Sequence, residues 1–246
     1  MGRQAGFGFD VRDGQLLREL SGARILSTAQ LAQLAGRPEA LGAFASRLAR
    51  LAQGGWLAPI PRVQTASGAV TGWFRGDDAP PALDRERLAA EAIRLNALYA
   101  ALRTGPNRVS WKLRLESPVT AVLALPGKNL HLFWAEGTKV ARAAGLRFGS
   151  FLRDPERGES RGSEDEVLLL CDEPELRDAL RREVARVRTR LPGGPASVHV
   201  SLCRDAVRVL HRRIHGGPLA VPVDPPEPEL TANERARISE FLAEVL

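Results

Sequence analysis

Apolar residues recur every three or four positions through the first third of the chain, and this spacing predicts amphipathic helices. A first helix is expected from Arg12 to Ala23, with an apolar face formed by Leu16, Leu17 and Leu20. A short second helix follows Ser27, a residue type that caps helix N-termini. The turn Gly36-Arg37-Pro38 leads into a third helix from Pro38 to Gln53, whose apolar positions are Leu41, Phe44, Leu48 and Leu51.

Two strand-like segments follow the third helix. Residues 57–64 and 69–75 flank the turn Ala66-Ser67-Gly68, which predicts a hairpin. A supporting helix, two helices joined by a tight turn, and a two-stranded ribbon are in the order of a winged helix-turn-helix. The alternative for this block is a helical packing module or a winged helix that binds protein.

The polar, proline-rich residues 76–84 predict a boundary between domains. A long helix is expected over 84–103, to pack on either domain or to pair with its copy in a dimer. Beyond it the period changes to alternation, so strands are predicted at 108–117, 119–127, 129–137, 167–171 and 197–203. Helices are expected over 138–153 and 174–191, and residues 204–214 suit a short helix or a strand.

The first three of these strands are expected to form a meander, and the last two to join it in parallel as one mixed sheet. The fold class is therefore α+β, with an N-terminal winged helix-turn-helix and a mixed α/β domain. The predicted organisation is a first domain over 1–78, a linker and connecting helix over 79–106, and a mixed-sheet domain over 107–217. Residues 218–246 complete it, with five prolines from Pro218 to Pro228 and a capped helix from Thr231 to Leu246.

The basic composition favours a polyanionic binding partner. The chain has 35 Lys plus Arg against 29 Asp plus Glu, a net charge of +6, and the cations are almost all arginine. Arginine makes forked contacts to phosphate and guanine. No long apolar run or leader is present, so we expect a cytoplasmic protein with no membrane contact.

Cysteine and histidine give little chemistry. Cys171 and Cys203 end apolar strand-like runs and are expected to be small buried thiols rather than a disulfide. Cys203 with His211 and His215 matches no standard zinc spacing. Neither a Gly-rich phosphate loop nor a G-x-S-x-G or H-E-x-x-H motif occurs, and no cofactor is expected.

The stretches QLAQLAG at residues 30–36 and SRLARLAQGGWL at 46–57, followed by a hairpin, a helix and a small mixed sheet, resemble the bacterial replication-relaxation family. The resemblance covers residues 12–104 and extends to about 215. It implies a role with plasmids or other mobile elements, and a second domain of the restriction-endonuclease type. In the family a Pro-Asp pair and a later Glu-x-Asp before Gly-Thr would hold a metal ion.

The chain departs from that pattern at the acidic positions. The comparable places read Pro118-Val119-Thr120 and Phe133-Trp134-Ala135-Glu136-Gly137-Thr138, so the acidic residues are replaced by Val119 or Thr120, Phe133 and Ala135. Phosphodiester hydrolysis with Mg²⁺ needs converging carboxylates, which these side chains cannot supply. A rearranged nuclease site can be drawn from Glu116, Glu136 and Lys139, but we favour surface side chains at these positions.

The sequence therefore predicts a non-catalytic protein that binds double-stranded DNA, of transcription-regulator or plasmid or phage replication type, and forms a homodimer. Metal-dependent nuclease and protein-interaction module remain the alternatives. The expected DNA contacts are arginines and one lysine from both domains: Arg37, Arg47, Arg50, Arg62, Arg75, Arg108, Lys112, Arg114, Arg142 and Arg147.

Overall fold

A computed structural model describes residues 10–36, 41–80, 84–103, 109–115, 119–135, 165–190 and 197–216, with side chains described as far as residue 185 in the sixth range. Within these ranges the chain forms six helices and two β-sheets. The expected α+β class is thereby confirmed. The predicted helices over 138–153 and 231–246, and the proline-rich segment 218–228, lie outside the described residues.

The N-terminal unit, residues 10–75, has the order helix, strand, helix, helix, strand, strand. Its elements are α1 (Val11–Ala23), β1 (Leu26–Ser27), α2 (Thr28–Leu34), α3 (Leu41–Gln53), β2 (Leu57–Thr65) and β3 (Gly68–Arg75). The strands form an antiparallel sheet in the order β1-β3-β2. The three helices and the hairpin match the expected elements, whereas β1 was not predicted, because two residues are too few to show alternation.

Local side-chain chemistry fixes where the first two helices begin. The Asp10 side chain accepts hydrogen bonds from the backbone N–H groups of Arg12 and Asp13, and the Asp13 side chain in turn accepts one from the Asp10 N–H. Ser27 and Gln30 form the same reciprocal arrangement at the start of α2. The predicted cap at Ser27 is confirmed, and both caps satisfy N–H groups that lack partners within the helix.

The long helix α4 (Arg85–Arg103) is buried on nearly all sides. It packs against α2, β1 and β2 of the N-terminal unit and also against a strand, Lys128–Trp134, and a helix, Cys203–Ile214, of the C-terminal unit. Such burial explains why its sequence lacks a clean apolar stripe. Because both sides are covered within one chain, α4 has no apolar face left for pairing with a second copy.

The C-terminal unit, residues 109–216, is built on a five-stranded mixed sheet. Its elements are β4 (Trp111–Arg114), β5 (Thr120–Leu125), β6 (Lys128–Trp134), β7 (Glu166–Cys171), α5 (Pro174–Arg190), β8 (Ser197–Leu202) and α6 (Cys203–Ile214). Strands β4, β5 and β6 are antiparallel, and β7 and β8 continue in parallel from β6. The predicted meander joined by two parallel strands is confirmed, and the segment after β8 is a helix.

Side-chain alternation gives this sheet two distinct faces. The near face carries Trp111, Leu123 and Leu168 into one continuous core with α1, α4 and α6. The far face carries Phe133 and Leu169, against which α5 packs through Val184. The two units therefore share one layer on the near face, and α5 lies on the opposite side of the sheet.

Asn96 of α4 joins the two units. Its amide donates to the carbonyls of Ala23 and Ile25, at 2.8 Å and 2.6 Å, and its Oδ1 accepts from Trp111 Nε1 at 2.8 Å. Tyr99 stacks on Trp111 with ring centroids 5.6 Å apart. A fully buried amide with these three bonds specifies how α1, α4 and β4 fit together.

Candidate nucleic-acid interface

Helix α2 is held on α4, which in turn sets the position of α3. Gln30, besides closing its cap, donates from Nε2 to the Ile93 carbonyl at 2.6 Å. Leu31 is fully buried, and Gln33 Nε2 lies 3.4 Å from the Ala100 carbonyl. This helix therefore acts as the fixed support on which α3 packs.

Helix α3 has one buried and one exposed side. Phe44, Leu48 and Leu51 enter the core, as their spacing predicts. Leu41, which was also predicted on the apolar face, is instead exposed at the first position of the helix. The side opposite the buried residues is exposed and consists of small or polar residues: Gly42, Ala43, Ser46, Ala49, Arg50 and Gln53. Because most of these side chains are short, the α3 backbone lies close to the molecular surface along this side.

Arg47 is engaged with α1. Its Nε donates to Asp13 Oδ1 at 2.9 Å, its Nη2 pairs with Asp13 Oδ2, and Asp10 lies 3.6 Å away. Asp13 is 1 % exposed, so the guanidinium compensates a buried carboxylate. The hydrogen bonds to Asp13 raise the pKa of Arg47 above its usual value. This ion pair joins α3 to α1, whereas the sequence predicted that Arg47 contacts DNA.

The other described arginines of this unit that were predicted to contact DNA have different surroundings. Arg50 is exposed on α3, and within the described ranges no carboxylate pairs with it. Arg62 is exposed on β2 at a bulge between Ile60 and Val63, where its φ of 57° turns the backbone. Arg75 lies at the base of the hairpin opposite Leu57 and binds Asp77 and Ser21.

The hairpin ends in a turn of small, polar character. Thr65 pairs with Gly68, so Ala66 and Ser67 are the two turn residues. Thr65 Oγ1 donates to the Gly68 carbonyl at 2.7 Å. Gly68 has a φ of 111°, a conformation that favours glycine. The exposed tip therefore offers hydroxyl and backbone groups rather than charge.

Lys112 and Arg114 lie on β4 with their side chains toward the far face. Trp111 and Leu113, which alternate with them, are buried on the near face against α1 and α4. The predicted basic outer side of this strand is confirmed. It points away from the layer that contains the N-terminal unit. The remaining residues expected to contact DNA, Arg37, Arg108, Arg142 and Arg147, lie outside the described residues.

The strand positions that the family resemblance would require to be acidic come together in the sheet. Thr120 pairs with Phe133 across β5 and β6. Both are at most 1 % exposed, and Val119 and Ala135 are 2 % exposed. No carboxylate occurs at these four positions. Glu116, Glu136 and Lys139, the residues of the alternative nuclease site, lie outside the described residues.

A buried polar cluster that the sequence did not predict lies at the start of β6 and β7. His131 Nε2 lies 3.1 Å from Asp165 Oδ2, and the Asn129 N–H donates to Asp165 Oδ1 at 2.9 Å. Glu166 accepts hydrogen bonds from Lys128 and Arg213 on the near face. The signal was the pair Asp165-Glu166 directly before an apolar strand, but its partners are 34 to 47 residues away in sequence.

The thiols show no reactive arrangement. Cys171 is buried, Cys203 is half-buried, and both are free. Burial raises the pKa of Cys171 to about 11 and raises that of Cys203 as well. Cys203 packs against the core, whereas His211 and His215 are exposed, with ring centroids 4.8 Å apart. Across the described ranges, no three potential His, Cys, Asp or Glu ligands are grouped for a metal ion.

Comparison with protein families, curated proteins and solved structures gave no match to this chain. In the part of the chain that the structure describes, no helix combines the length and apolarity needed to cross a bilayer.

Proposed function

We propose that the protein binds duplex DNA and that its N-terminal unit works as a winged helix. The observation that supports this most directly is the arrangement of α1, β1, α2, α3, β2 and β3, with the outer side of α3 exposed. In helix-turn-helix proteins, the second helix of the pair enters the major groove while the first crosses the backbone. Here α3 would be the helix that enters the major groove, and α2, which is fixed on α4, would be the helix that crosses the backbone.

The outer side of α3 suits close approach to base edges. Gly42, Ala43, Ser46 and Ala49 leave room for the helix to enter a groove about 12 Å wide. Arg50 supplies an exposed guanidinium on the same side, able to bind a phosphate or a guanine. These features favour α3 over the other described helices as the groove-binding element.

Among the predicted DNA contacts of this unit, we assign the primary ones to Arg50 and Arg62. Arg62 stands on the hairpin, in the position from which a wing contacts the neighbouring backbone. Arg47 and Arg75 could reach phosphate only by giving up the partners Asp13 and Asp77. We therefore assign these two arginines a supporting role, in which they position α3 and the base of the hairpin.

We further propose that the C-terminal unit is a non-catalytic companion of the winged helix, as in a degenerate nuclease domain of the replication-relaxation type. Support comes from the buried, non-acidic side chains at Val119, Thr120, Phe133 and Ala135. Mg²⁺ needs carboxylate or other hard oxygen ligands there. Such a protein would act in the cytoplasm as a regulator of transcription or of plasmid or phage replication.

The α3 assignment is tested with Ala49→Glu, which places a carboxylate on the exposed side of the helix. We expect duplex affinity to fall at least about tenfold, because the new charge faces phosphates. Glutamate is a good helix former, so α3 should persist. Fluorescence anisotropy with a labelled duplex of about 30 base pairs at low salt measures the change; a site of this length spans about three helical turns.

Ala49→Gln is the matched control, since it has the same size without the charge and should lose far less affinity. Arg50→Ala should weaken binding several-fold, with unchanged far-UV circular dichroism. Equal affinity for wild type, Ala49→Glu and Arg50→Ala would exclude α3 as the contact. In parallel, supercoiled plasmid incubated with the protein and Mg²⁺ or Mn²⁺ should stay intact; nicking that Glu136→Gln abolishes would contradict the non-catalytic assignment.

A further inference from the structure

Helix α6 presents a row of basic side chains to solvent. Arg204, Arg208 and His211 of the helix, and His215 at its C-terminal cap, are all exposed. At 100° per residue they fall within a stripe about 60° wide, opposite the buried residues Ala206, Val209 and Leu210. The helix is therefore amphipathic, with two arginines and two histidines along its outer side.

One of the two arginines on this outer side has a carboxylate partner within the helix. Asp205 is the one carboxylate of α6, and it pairs with Arg208 at 2.9 Å while the Arg208 side chain stays 63 % exposed. By contrast, α5 carries its own acids, and Asp178 contacts Arg177 and Arg181 there. Over their full lengths both helices have a net charge of +3, so α6 differs from α5 in the arrangement of its basic side chains along one exposed side and not in their excess.

The position of α6 connects this charge with the N-terminal unit. Helix α6 packs on the near face of the sheet beside α4, in the layer that α1 and α4 share. Lys112 and Arg114, expected from the sequence as the basic side of the C-terminal unit, point to the far face. Helix α6 is therefore better placed than β4 to touch a ligand already held by the N-terminal unit.

We propose that the outer side of α6 is a second contact surface for duplex DNA, which binds the phosphate backbone while α3 occupies the groove. This inference rests on the proposed function. Arg204 and Arg208 are one helical turn apart, about 6 Å along the axis, so both can meet phosphates of one strand. Contacts of this kind add affinity and salt dependence without reading sequence.

The test is the double variant Arg204→Gln and Arg208→Gln, measured by anisotropy on the same duplex over a series of salt concentrations. Loss of two phosphate contacts should lower the slope of log K against log salt by about 2 and weaken low-salt binding about tenfold. Arg181→Gln with Arg182→Gln is the matched control, since it removes the same charge from exposed positions of α5 on the far face. The control should leave the slope unchanged.

Equal losses in both double variants would show that only net charge matters and would overturn the α6 contact, as would an unchanged slope for the α6 variant. If Ala49→Glu abolishes binding while the α6 variant binds normally, the inference fails and the proposed function stands. If the α6 variant loses affinity but Ala49→Glu does not, the α3 assignment fails instead. A loss seen with a dT30 single strand and not with the duplex would also overturn the proposal.

Discussion

Glu166 is the most heavily paired carboxylate of the described C-terminal unit. Burial alone would raise the pKa of Glu166, but hydrogen bonds from Arg213 and Lys128 outweigh it and lower the pKa below the usual 4.5. The bonds from Arg213 Nη2 and Lys128 Nζ to Glu166 Oε1 are 2.6 Å and 2.8 Å long. The three side chains tie α6 to the first residues of β6 and β7.

This cluster gives a pH-dependent contribution to stability. A carboxylate whose pKa is lower in the folded than in the unfolded protein stabilises the folded state above pH 4.5. This contribution to stability is lost as the pH falls through the pKa of the folded state. Glu166→Gln should therefore reduce the free energy of unfolding by about 2 kcal/mol at neutral pH. The difference in the free energy of unfolding between wild type and Glu166→Gln should be smaller at about pH 3.5.

Urea unfolding followed by circular dichroism at both pH values measures this difference in the free energy of unfolding. The exposed Glu86 provides the control, because Glu86→Gln makes the same chemical change and should cost no more than about 0.5 kcal/mol. If this difference stayed constant from neutral to acid pH, Glu166 would not be the ionised partner of Arg213 and Lys128 that the structure indicates.

The role of a residue could be predicted from the sequence where its partners are a few positions away, and could not where its partner is distant in the chain. Ser27 was predicted as a cap because its acceptor role involves only the next three residues. Arg47 was predicted to contact DNA because its basic charge on α3 was visible, but its partner Asp13 is 34 residues away. Sequence alone does not show which carboxylate a tertiary fold brings to an arginine.

At the scale of elements, periodicity predicted every described helix except α6 and every described strand except β1. It left the segment after β8 open, because a short amphipathic run suits helix or strand equally. The structure resolves this by placing Ala206, Val209 and Leu210 on the near face of the sheet, a spacing that a helix provides. Tertiary packing, which a single sequence does not display, decides such cases.

The contact between α1 and β4 depends on Gly22. A Cβ at this position would lie 2.5 Å from the Trp111 carbonyl oxygen, a backbone atom that cannot move aside alone. Gly22→Ala should thus lower the free energy of unfolding by about 1 to 3 kcal/mol, although alanine is the better helix former. Thermal or urea unfolding of the full chain measures the change.

Gly42 of α3 supplies the comparison, because a Cβ there would have no neighbour within 4 Å. Gly42→Ala should stabilise the protein by up to about 1 kcal/mol. If both alanine variants were stabilised alike, the close approach of α1 to β4 would be disproved, and with it the docking of the two units.

At the scale of the whole molecule, α4 makes the two units one structure. The sequence predicted a domain boundary in residues 76–84 and a first domain ending at 78. That prediction came from a change in composition, which does not show how the first unit packs on α4. Leu88, Ala92 and Leu95 are buried in a core that also contains β2 and α2.

A fragment of residues 1–80 should therefore fail to fold. Burial of each leucine of α4 contributes about 2 kcal/mol, and several such residues together approach the 5 to 15 kcal/mol that a domain has in total. The fragment would also leave Gln30 without its acceptor at Ile93. Circular dichroism during urea unfolding should show no cooperative transition for it.

The full chain should unfold in a single transition, seen identically by circular dichroism and by tryptophan fluorescence. Fluorescence reports on both units, since Trp56 and Trp73 lie in the first and Trp111 and Trp134 in the second. Coincidence is expected because Asn96 and Trp111 join units that share one core. Two separated transitions, or a cooperative fragment 1–80, would show that the N-terminal unit is independent. With a single transition, the duplex binding that we propose for α3 would require α4 and the sheet on which α4 rests.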